Sequence, residues 1–465
     1  MRSFSDSNAD GVGDLRGVVE KLEYLEWLGI DALWLSPVTV SPDKDWGYDV
    51  ADYRDVQPVF GSRAEFDALV GRAREHDIRV IVDLVPNHTS DQHPWFQDAR
   101  RSRDARHRDW YIWADPRPDG APPNNWRSAF GKQSAWLLAP ETGQMYLHSF
   151  LPEQVDLNWW HDAVRNEFDE VMRFWLERGV AGFRLDVAHA IVKDRALRDV
   201  PPGSEKSVRV DLDETFDVLR RWRSLVDGYG RPERILLGET WIMDLDQLAR
   251  FYGSGRDQLH LAFNFPFAFS PLEAAGLADV VERTERALPG EAWPAWMLSN
   301  HDMPRMATRM CGGDERKIRC ALLLLLTLRG TPVLYQGDEL GLEQVDVPAE
   351  RIRDVDDRDG CRTPLPWTRE GGWTEPWLPL GSIARNVADA RRDPASILSY
   401  TRELIARRRT REDLRSGAYE RLPAPAGVWA YRRGSKTVVA VNLSDRPAEF
   451  EGVPLAPWQG TIRDV

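Results

Sequence analysis

Cysteine is scarce: Cys311, Cys320 and Cys361 are the only ones in 465 residues. Their odd number and their spacing, which matches no metal-ligand pattern, speak against a disulfide framework and fit a reducing compartment. Long hydrophobic runs are missing too. The longest, Ala321 to Leu326 with Leu328, is far shorter than the ~20 residues a membrane span needs and reads as a buried helix. No charged-then-apolar leader opens the chain, so the expected location is cytoplasmic. Basic residues are in deficit: 61 Lys and Arg against 74 Asp and Glu leave a formal charge of −13. A nucleic-acid binder would need a basic face, so neither nucleic acid nor membrane is expected as a partner. Internal repeats and low-complexity tracts are also absent. What the chain has in abundance is tryptophan, 20 residues. Indole faces suit sugar rings, although most must serve packing.

Length predicts one large domain with satellites. Strand-like runs at Ala32–Ser36, Arg79–Leu84, Val180–Leu185, Ile235–Gly238, His260–Asn264, Ala295–Ser299 and Pro332–Tyr335 alternate with helical patterns. The helices are expected at Leu15–Leu28, Ala64–His76, Asp162–Arg178, Leu212–Val226, Leu272–Ala287 and Glu315–Leu326. Such alternation predicts an α/β fold with a parallel sheet and helices outside it. Seven strands are one short of a closed (β/α)8 barrel. The missing one should precede Phe4, so the first barrel strand is expected to be largely absent. The predicted barrel spans 1–88 and 159–397, with an irregular subdomain at 338–395. Residues 89–158, rich in Trp, Pro, Asn and Asp, read as a loop-rich domain inserted after the third strand. Residues 398–465 read as the last barrel helix and a small, incomplete C-terminal β domain, marked by Thr437–Asn442.

Three acids each close a short apolar run: Asp186 after Gly182-Phe183-Arg184-Leu185, Glu239 after Ile235-Leu236-Leu237-Gly238, and Asp302 after Met297-Leu298-Ser299-Asn300-His301. An acid ending a strand stands where a (β/α)8 barrel does its chemistry. Two carboxylates across an anomeric carbon are what retaining glycoside hydrolysis requires, one as nucleophile and one as acid/base, ~5–5.5 Å apart. Arg184 lies two residues before Asp186 and so on the same strand face, where it can favour the ionised acid. Those two residues alone would favour a buried structural ion pair. In Asp83-Leu84-Val85-Pro86-Asn87-His88, an Asp ending a strand is often only a cap and a lone His is more often structural, but the strand-end position favours His88 as a substrate contact.

Taken together these segments resemble the α-amylase superfamily of glycoside hydrolases (family 13), and within it the α-glucosidase and oligo-1,6-glucosidase group. Four strand-end motifs match Asp83–His88, Gly182–Asp186, Gly238-Glu239 and Asn300–Asp302, and a fifth matches Val155-Asp156-Leu157-Asn158. The resemblance implies Asp186 as nucleophile, Glu239 as general acid/base and Asp302 as the acid that binds sugar hydroxyls. It places His88, His301 and Arg184 at the same sugar. Glu239 should be kept protonated by burial and nearby negative charge. Asp45-Trp46-Gly47-Tyr48-Asp49 resembles the loop closing the pocket's non-reducing end, with Asp45 and Tyr48 on the terminal glucose. Arg362, in Arg358–Pro364, resembles the group's late arginine at that sugar, and Phe150 an aromatic flank.

A second site is implied by Asp6-Ser7-Asn8-Ala9-Asp10-Gly11-Val12-Gly13-Asp14. Oxygen ligands at alternate positions suit a hard cation. Gly17 stands at the twelfth position where an EF-hand needs Glu. The resemblance implies a structural Ca²⁺ or Mg²⁺ held by Asp6, Asn8, Asp10, Asp14 and the Val12 carbonyl, and no organic cofactor.

The activity so implied is a retaining, exo-acting α-glucosidase acting on maltose and short malto- or isomalto-oligosaccharides through a covalent glucosyl-enzyme. A glucosyltransferase or a trehalose- or sucrose-active isomerase would use the same site. A non-catalytic barrel relative is the remote alternative, since such proteins carry a membrane span and lack the three acids. Linkage signals conflict: Val187 accords with tolerance of α-1,6 bonds, whereas Thr240-Trp241 does not.

Overall fold

Arg79–Leu84 (Arg-Val-Ile-Val-Asp-Leu) is buried at every position after the first, the pattern of a parallel strand covered on both faces. In the computed structural model, which describes residues 1–202 and 212–464, this strand lies between two parallel neighbours. Ala32 pairs with Arg79 on one side, and Phe183, Arg184 and Leu185 pair with Val82, Asp83 and Leu84 on the other. Gly182–Leu185 pairs in turn with Ile235–Gly238. Gly182 has a φ of +141°, and a Cβ there would lie 2.0 Å from the Ile235 carbonyl oxygen, so only glycine fits. Residues 203–211 and Val465, within the predicted barrel and C-terminal spans, lie outside the described residues.

These strands belong to the first of two units, which comprises Met1, Ala32–Trp241 and Arg256–His260. Its helices start where the sequence supplies caps. Ser62 and Glu65 form a reciprocal capping box before Arg63–Glu75. The His161 side chain caps Asp162–Glu177, which buries Val164, Phe168, Val171, Met172, Trp175 and Leu176 at helical spacing. Each such side chain contributes about 1.5–3 kcal/mol by leaving water. Trp175 meets Phe66 edge-on at 4.8 Å.

The segment 89–158, expected to be irregular, has a sheet of its own. Trp113–Ala114, Gln144–Leu147 and Trp136–Ala139 form a three-stranded antiparallel sheet with Gln144–Leu147 in the middle. Trp126, Ala135, Trp136, Met145 and Leu147 form its core. Strands of two to four residues are too short to show alternation, which is why periodicity missed them. His88–Ser90 pairs antiparallel with Gln154–Asp156, bringing His88 opposite Asp156.

The second unit comprises Arg2–Asp31, Ile242–Gly255 and Leu261–Val465. Its parallel strands are Ala295–Met297 and Thr331–Val333, and Phe263 bridges Ala295 in parallel. The predicted helix Leu15–Leu28 is two helices, Leu15–Glu20 and Leu22–Leu28. Lys21 (φ −107°, ψ 8°) breaks it. Residues 2–4 form a turn, tied down where Leu365 N–H donates to the Ser3 carbonyl at 2.8 Å and Phe4 meets Trp367 edge-on at 5.3 Å. The C-terminal residues form a four-stranded antiparallel sheet in the order Tyr419–Leu422, Val428–Arg433, Thr437–Asn442, Gln459–Asp464. No helix among the described residues is long and apolar enough to cross a membrane.

Candidate active site

Arg184 is fully buried in the first unit and carries carboxylates on both terminal nitrogens. Nη1 donates to Asp83 at 2.9 and 3.1 Å and to Asp186 at 2.7 Å, and Nη2 donates to Glu239 at 2.7 Å. The strand register explains the convergence. Arg184 stands directly opposite Asp83, while Asp186 and Glu239 follow the ends of adjacent strands. Asp83 also accepts from the Tyr48 hydroxyl at 3.0 Å and the Trp34 indole at 3.2 Å.

Three carboxylates share one guanidinium, so the group is short of positive charge. Burial pushes Asp83 up to about 6 despite Arg184. Burial likewise holds the Asp186 carboxyl well above the usual range; Arg184 opposes this, and Glu239 and Asp83 add to it. The expectation that Arg184 alone keeps Asp186 ionised therefore needs revision, because its charge is divided among three acids.

Val187, directly after Asp186, has a φ of +46°. For a β-branched residue this is a true outlier, costing about 1–3 kcal/mol. The turn it makes points the Val187 N–H at the Glu239 carboxylate, 3.1 Å away. The strained turn after Asp186 thus supplies a backbone donor to Glu239.

His88, Tyr48, Asp45 and Phe150 are joined in the same unit. His88 Nε2 lies 3.0 Å from the Tyr48 carbonyl, and its ring centroid 5.4 Å from that of Phe150. Gln154 donates to Asp45 at 2.9 Å. Burial pushes His88 down to about 4, with Asp156 opposing and Lys193 adding, so the ring is neutral at pH 7. The Asp45–Asp49 loop is clasped from within: the Asp49 carboxylate accepts from Lys44 N–H at 2.9 Å, Asp45 N–H at 3.0 Å and Ser41 Oγ at 2.7 Å.

In the second unit Asp302 has an arginine clamp. Arg362 and Arg358 donate to its Oδ1 at 2.9 and 3.1 Å, and His301 Nε2 is 3.1 Å from Oδ2. Both arginines also reach Asp354, at 3.3 and 2.7 Å. Burial works against it, yet Arg358 and Arg362 keep Asp354 below the usual carboxylate range.

The loop Asp6–Asp14 directs its oxygens at its own backbone. Asp6 accepts from Asn8, Ala9 and Gly11 N–H, Asn8 from Asp10, and Asp10 from Val12. Asp14 caps the helix Leu15–Glu20 by accepting from Gly17 N–H at 2.6 Å. Among the described residues no cluster of three His, Cys, Asp or Glu groups is poised to hold an ion. The donor set of three carboxylates, an amide and a carbonyl still has the all-oxygen chemistry of a hard-cation loop.

Sequence reasoning passed over Asp83, Trp34, Gln154, Arg358, Asp354 and Lys193. Asp83 and Arg358 stood inside the motifs and were readable as charged groups at strand or loop ends. The others come together only through strand pairing and loop packing.

The family model described as the α-amylase catalytic domain matches residues 1–417. A probable α-glucosidase of Rhizobium meliloti (strain 1021) is 39% identical over 97% of this chain and 88% of its own length. An oligo-1,6-glucosidase of Heyndrickxia coagulans is 34% identical over 97% of this chain and 91% of its own. Among solved structures, the α-glucosyl transfer enzyme XgtA matches with a TM-score of 0.93 and 38% identity, covering 100% of this chain and 97% of that one.

Proposed function

The chain belongs to the α-amylase catalytic-domain family of glycoside hydrolases, and within it we propose a retaining, exo-acting α-glucosidase. Its substrates would be maltose and short malto- or isomalto-oligosaccharides, cleaved at the terminal bond. The observation that carries this reading is Arg184 holding Asp186 and Glu239 on its two terminal nitrogens, each at 2.7 Å.

Asp186 attacks the anomeric carbon as the bond to the leaving oxygen breaks, and Glu239 delivers its proton to that oxygen. Asp186 acts as the carboxylate, and Arg184 Nη1 faces it at 2.7 Å, the charge partner an ionised nucleophile needs. In the second half Glu239 takes a proton from water, water oxygen bonds to the anomeric carbon, and Asp186 is released. Asp83, braced by Tyr48 and Trp34, fixes the guanidinium that aligns both acids. His88, Tyr48, Phe150 and Asp45 supply sugar contacts. Asp302, with His301 and Arg362, is assigned to sugar hydroxyls on its motif.

Three free, buried cysteines accord with a cytoplasmic location. The segment 89–158 is proposed as the family's inserted domain. Asp6, Asn8, Asp10, Asp14 and the Val12 carbonyl would hold a Ca²⁺ or Mg²⁺ ion that stabilises the loop.

Incubation with maltose, isomaltose, sucrose and trehalose, with the released anomer followed by NMR, tests the reading. α-Glucose appearing first from maltose or isomaltose is expected; β-glucose first, or no cleavage of either, would overturn it. The similarity to the α-glucosyl transfer enzyme XgtA favours a second reading, in which a sugar hydroxyl intercepts the same glucosyl-enzyme. Longer oligosaccharides formed from maltose in place of free glucose would select it.

A further inference from the structure

Lys193 is buried, 2% exposed, and the catalytic chemistry above makes no use of it. Its ammonium donates to the Asn87 side-chain oxygen, to the Ala190 carbonyl at 2.7 Å, and pairs with Asp156 at 2.9 Å. An ammonium has donors only. The Asn87 atom facing it must therefore be oxygen, and the amide cannot flip. The Asn87 NH₂ group then faces His88 Nδ1 at 2.9 Å and makes that nitrogen the acceptor. The ring proton is left on Nε2, where it donates to the Tyr48 carbonyl at 3.0 Å. Gln154 Nε2 also lies 3.1 Å from His88 Nε2, but it has its acceptor in Asp45 at 2.9 Å. The Nε2–H form satisfies two contacts and the other form only one.

We propose that Lys193 is a positioning residue that locks His88 as the neutral Nε2–H tautomer, acting through Asn87 on one side and neutralising Asp156 on the other. Strand pairing sets His88 directly opposite Asp156, so a lone Asp156 charge would draw a proton onto the ring. Lys193 removes that pull, and Ser149 helps by donating N–H and Oγ to Asp156 at 2.7 and 2.6 Å. The charged and titratable groups facing His88 are thus Asp156 and Lys193 directly and Asp45 through Gln154. The fixed tautomer aims one N–H at the Tyr48 end of the loop and keeps the ring against Phe150. This rests on the reading of His88 as a sugar contact: the only ring proton already goes to the Tyr48 carbonyl, so what the lock supplies is a ring and a loop held in one orientation where the sugar would meet them.

The test has two independent arms. ¹⁵N-imidazole NMR of the full chain, with the His88 signals assigned by their loss in His88→Asn, needs no substrate. One protonated Nε2 and one bare Nδ1, unchanged between pH 5 and pH 8, are expected. A protonated Nδ1, or a ring that titrates in that window, would overturn the proposal even if the enzyme hydrolyses maltose. The second arm is Lys193→Met combined with Asp156→Asn, which spares the core an unpaired carboxylate. Mixed His88 tautomers and a roughly tenfold rise in KM, with kcat nearly held, are expected for loss of one aligned hydrogen bond. Lys193→Met alone should raise the pH at which the His88 ring takes up its second proton, read in the same ¹⁵N spectra, as the Asp156 charge is left unopposed. Lys193→Arg, which restores a donor-only cation, should recover the wild-type tautomer. Wild-type tautomer and KM in the double variant would refute the role. If the variants fail to fold, the wild-type spectrum alone decides. Failure of all four disaccharides in the activity panel, with the expected spectrum intact, would instead fault the α-glucosidase reading.

Discussion

Replacing Arg184 separates the parts of the site most sharply. Its fork reaches Asp83 and Asp186 from one nitrogen and Glu239 from the other, at 2.7 to 3.1 Å. In Arg184→Lys the charge survives but a single nitrogen cannot serve both sides. At least one charge-assisted bond is lost, worth about 1.5–3 kcal/mol, which predicts a fall of about ten- to a hundredfold in kcat/KM. Arg184→Met leaves three buried carboxylates without a cation, and breaking a buried pair in this way costs about 3–5 kcal/mol of stability. The pH dependence has a definite sign. Asp83 is raised to about 6 by burial, and a carboxyl raised on folding gives stability that is complete below about pH 4 and lost as pH rises through about 6. Without Arg184, Asp83 and Asp186 rise further and more of that stability is lost at neutral pH. The melting-temperature gap between Arg184→Met and the wild-type protein should widen from pH 5 to pH 8. Thermal unfolding across that range, with kcat/KM on maltose for Arg184→Lys, checks both parts. A gap that stays constant or narrows, or an Arg184→Lys enzyme within threefold of wild type, would refute the account.

Asp186→Asn should abolish turnover with the fold intact, and a variant with wild-type kcat would remove it as nucleophile. Glu239→Gln should lose far more activity on maltose than on an aryl α-glucoside whose leaving group needs no proton; equal losses on both would count against its acid role. Chelation should lower the melting temperature and added Ca²⁺ or Mg²⁺ should restore it, since an ion bound only by the folded state stabilises by mass action; indifference to both would dismiss the Asp6–Asp14 site. The protein should release glucose from maltotriose while barely thinning soluble starch, and Asp45→Ala should cost about tenfold in kcat/KM; rapid loss of starch viscosity would mark an open, endo-acting cleft.

The strand ends were legible because buried parallel strands advertise themselves as short apolar runs, and the acids that close them stand out. Asp186, Glu239 and Arg184 were singled out in this way, and each of the seven predicted strands has a counterpart: two at the predicted bounds, four shorter, and one beginning a residue earlier. The family resemblance read from five short motifs agrees with the family match over residues 1–417. Less legible was anything that depends on which strand lies beside which. Asp83 joins Arg184 because the two are register partners, and no spacing along the chain encodes that. The division of one guanidinium among three acids follows from the same pairing, which is why the charge state expected of Asp186 from its neighbour alone was too simple. The sheet within 89–158 was hidden by the brevity of its strands. The break at Lys21 was hidden because apolar periodicity runs through it without a proline or glycine to mark it.

Gly182 and Asp186 occupy one five-residue segment for unrelated reasons. At position 182 a Cβ would strike the Ile235 carbonyl oxygen at 2.0 Å; at 186 a carboxylate meets Arg184. A library that randomises 182–187 would therefore fail in two distinguishable ways. Clones altered at 182 would be lost before any assay, as insoluble or degraded chains, while clones altered at 186 would accumulate as well-behaved but inert protein. Sorting first on expression and only then on turnover would read the two demands off the same stretch of gene.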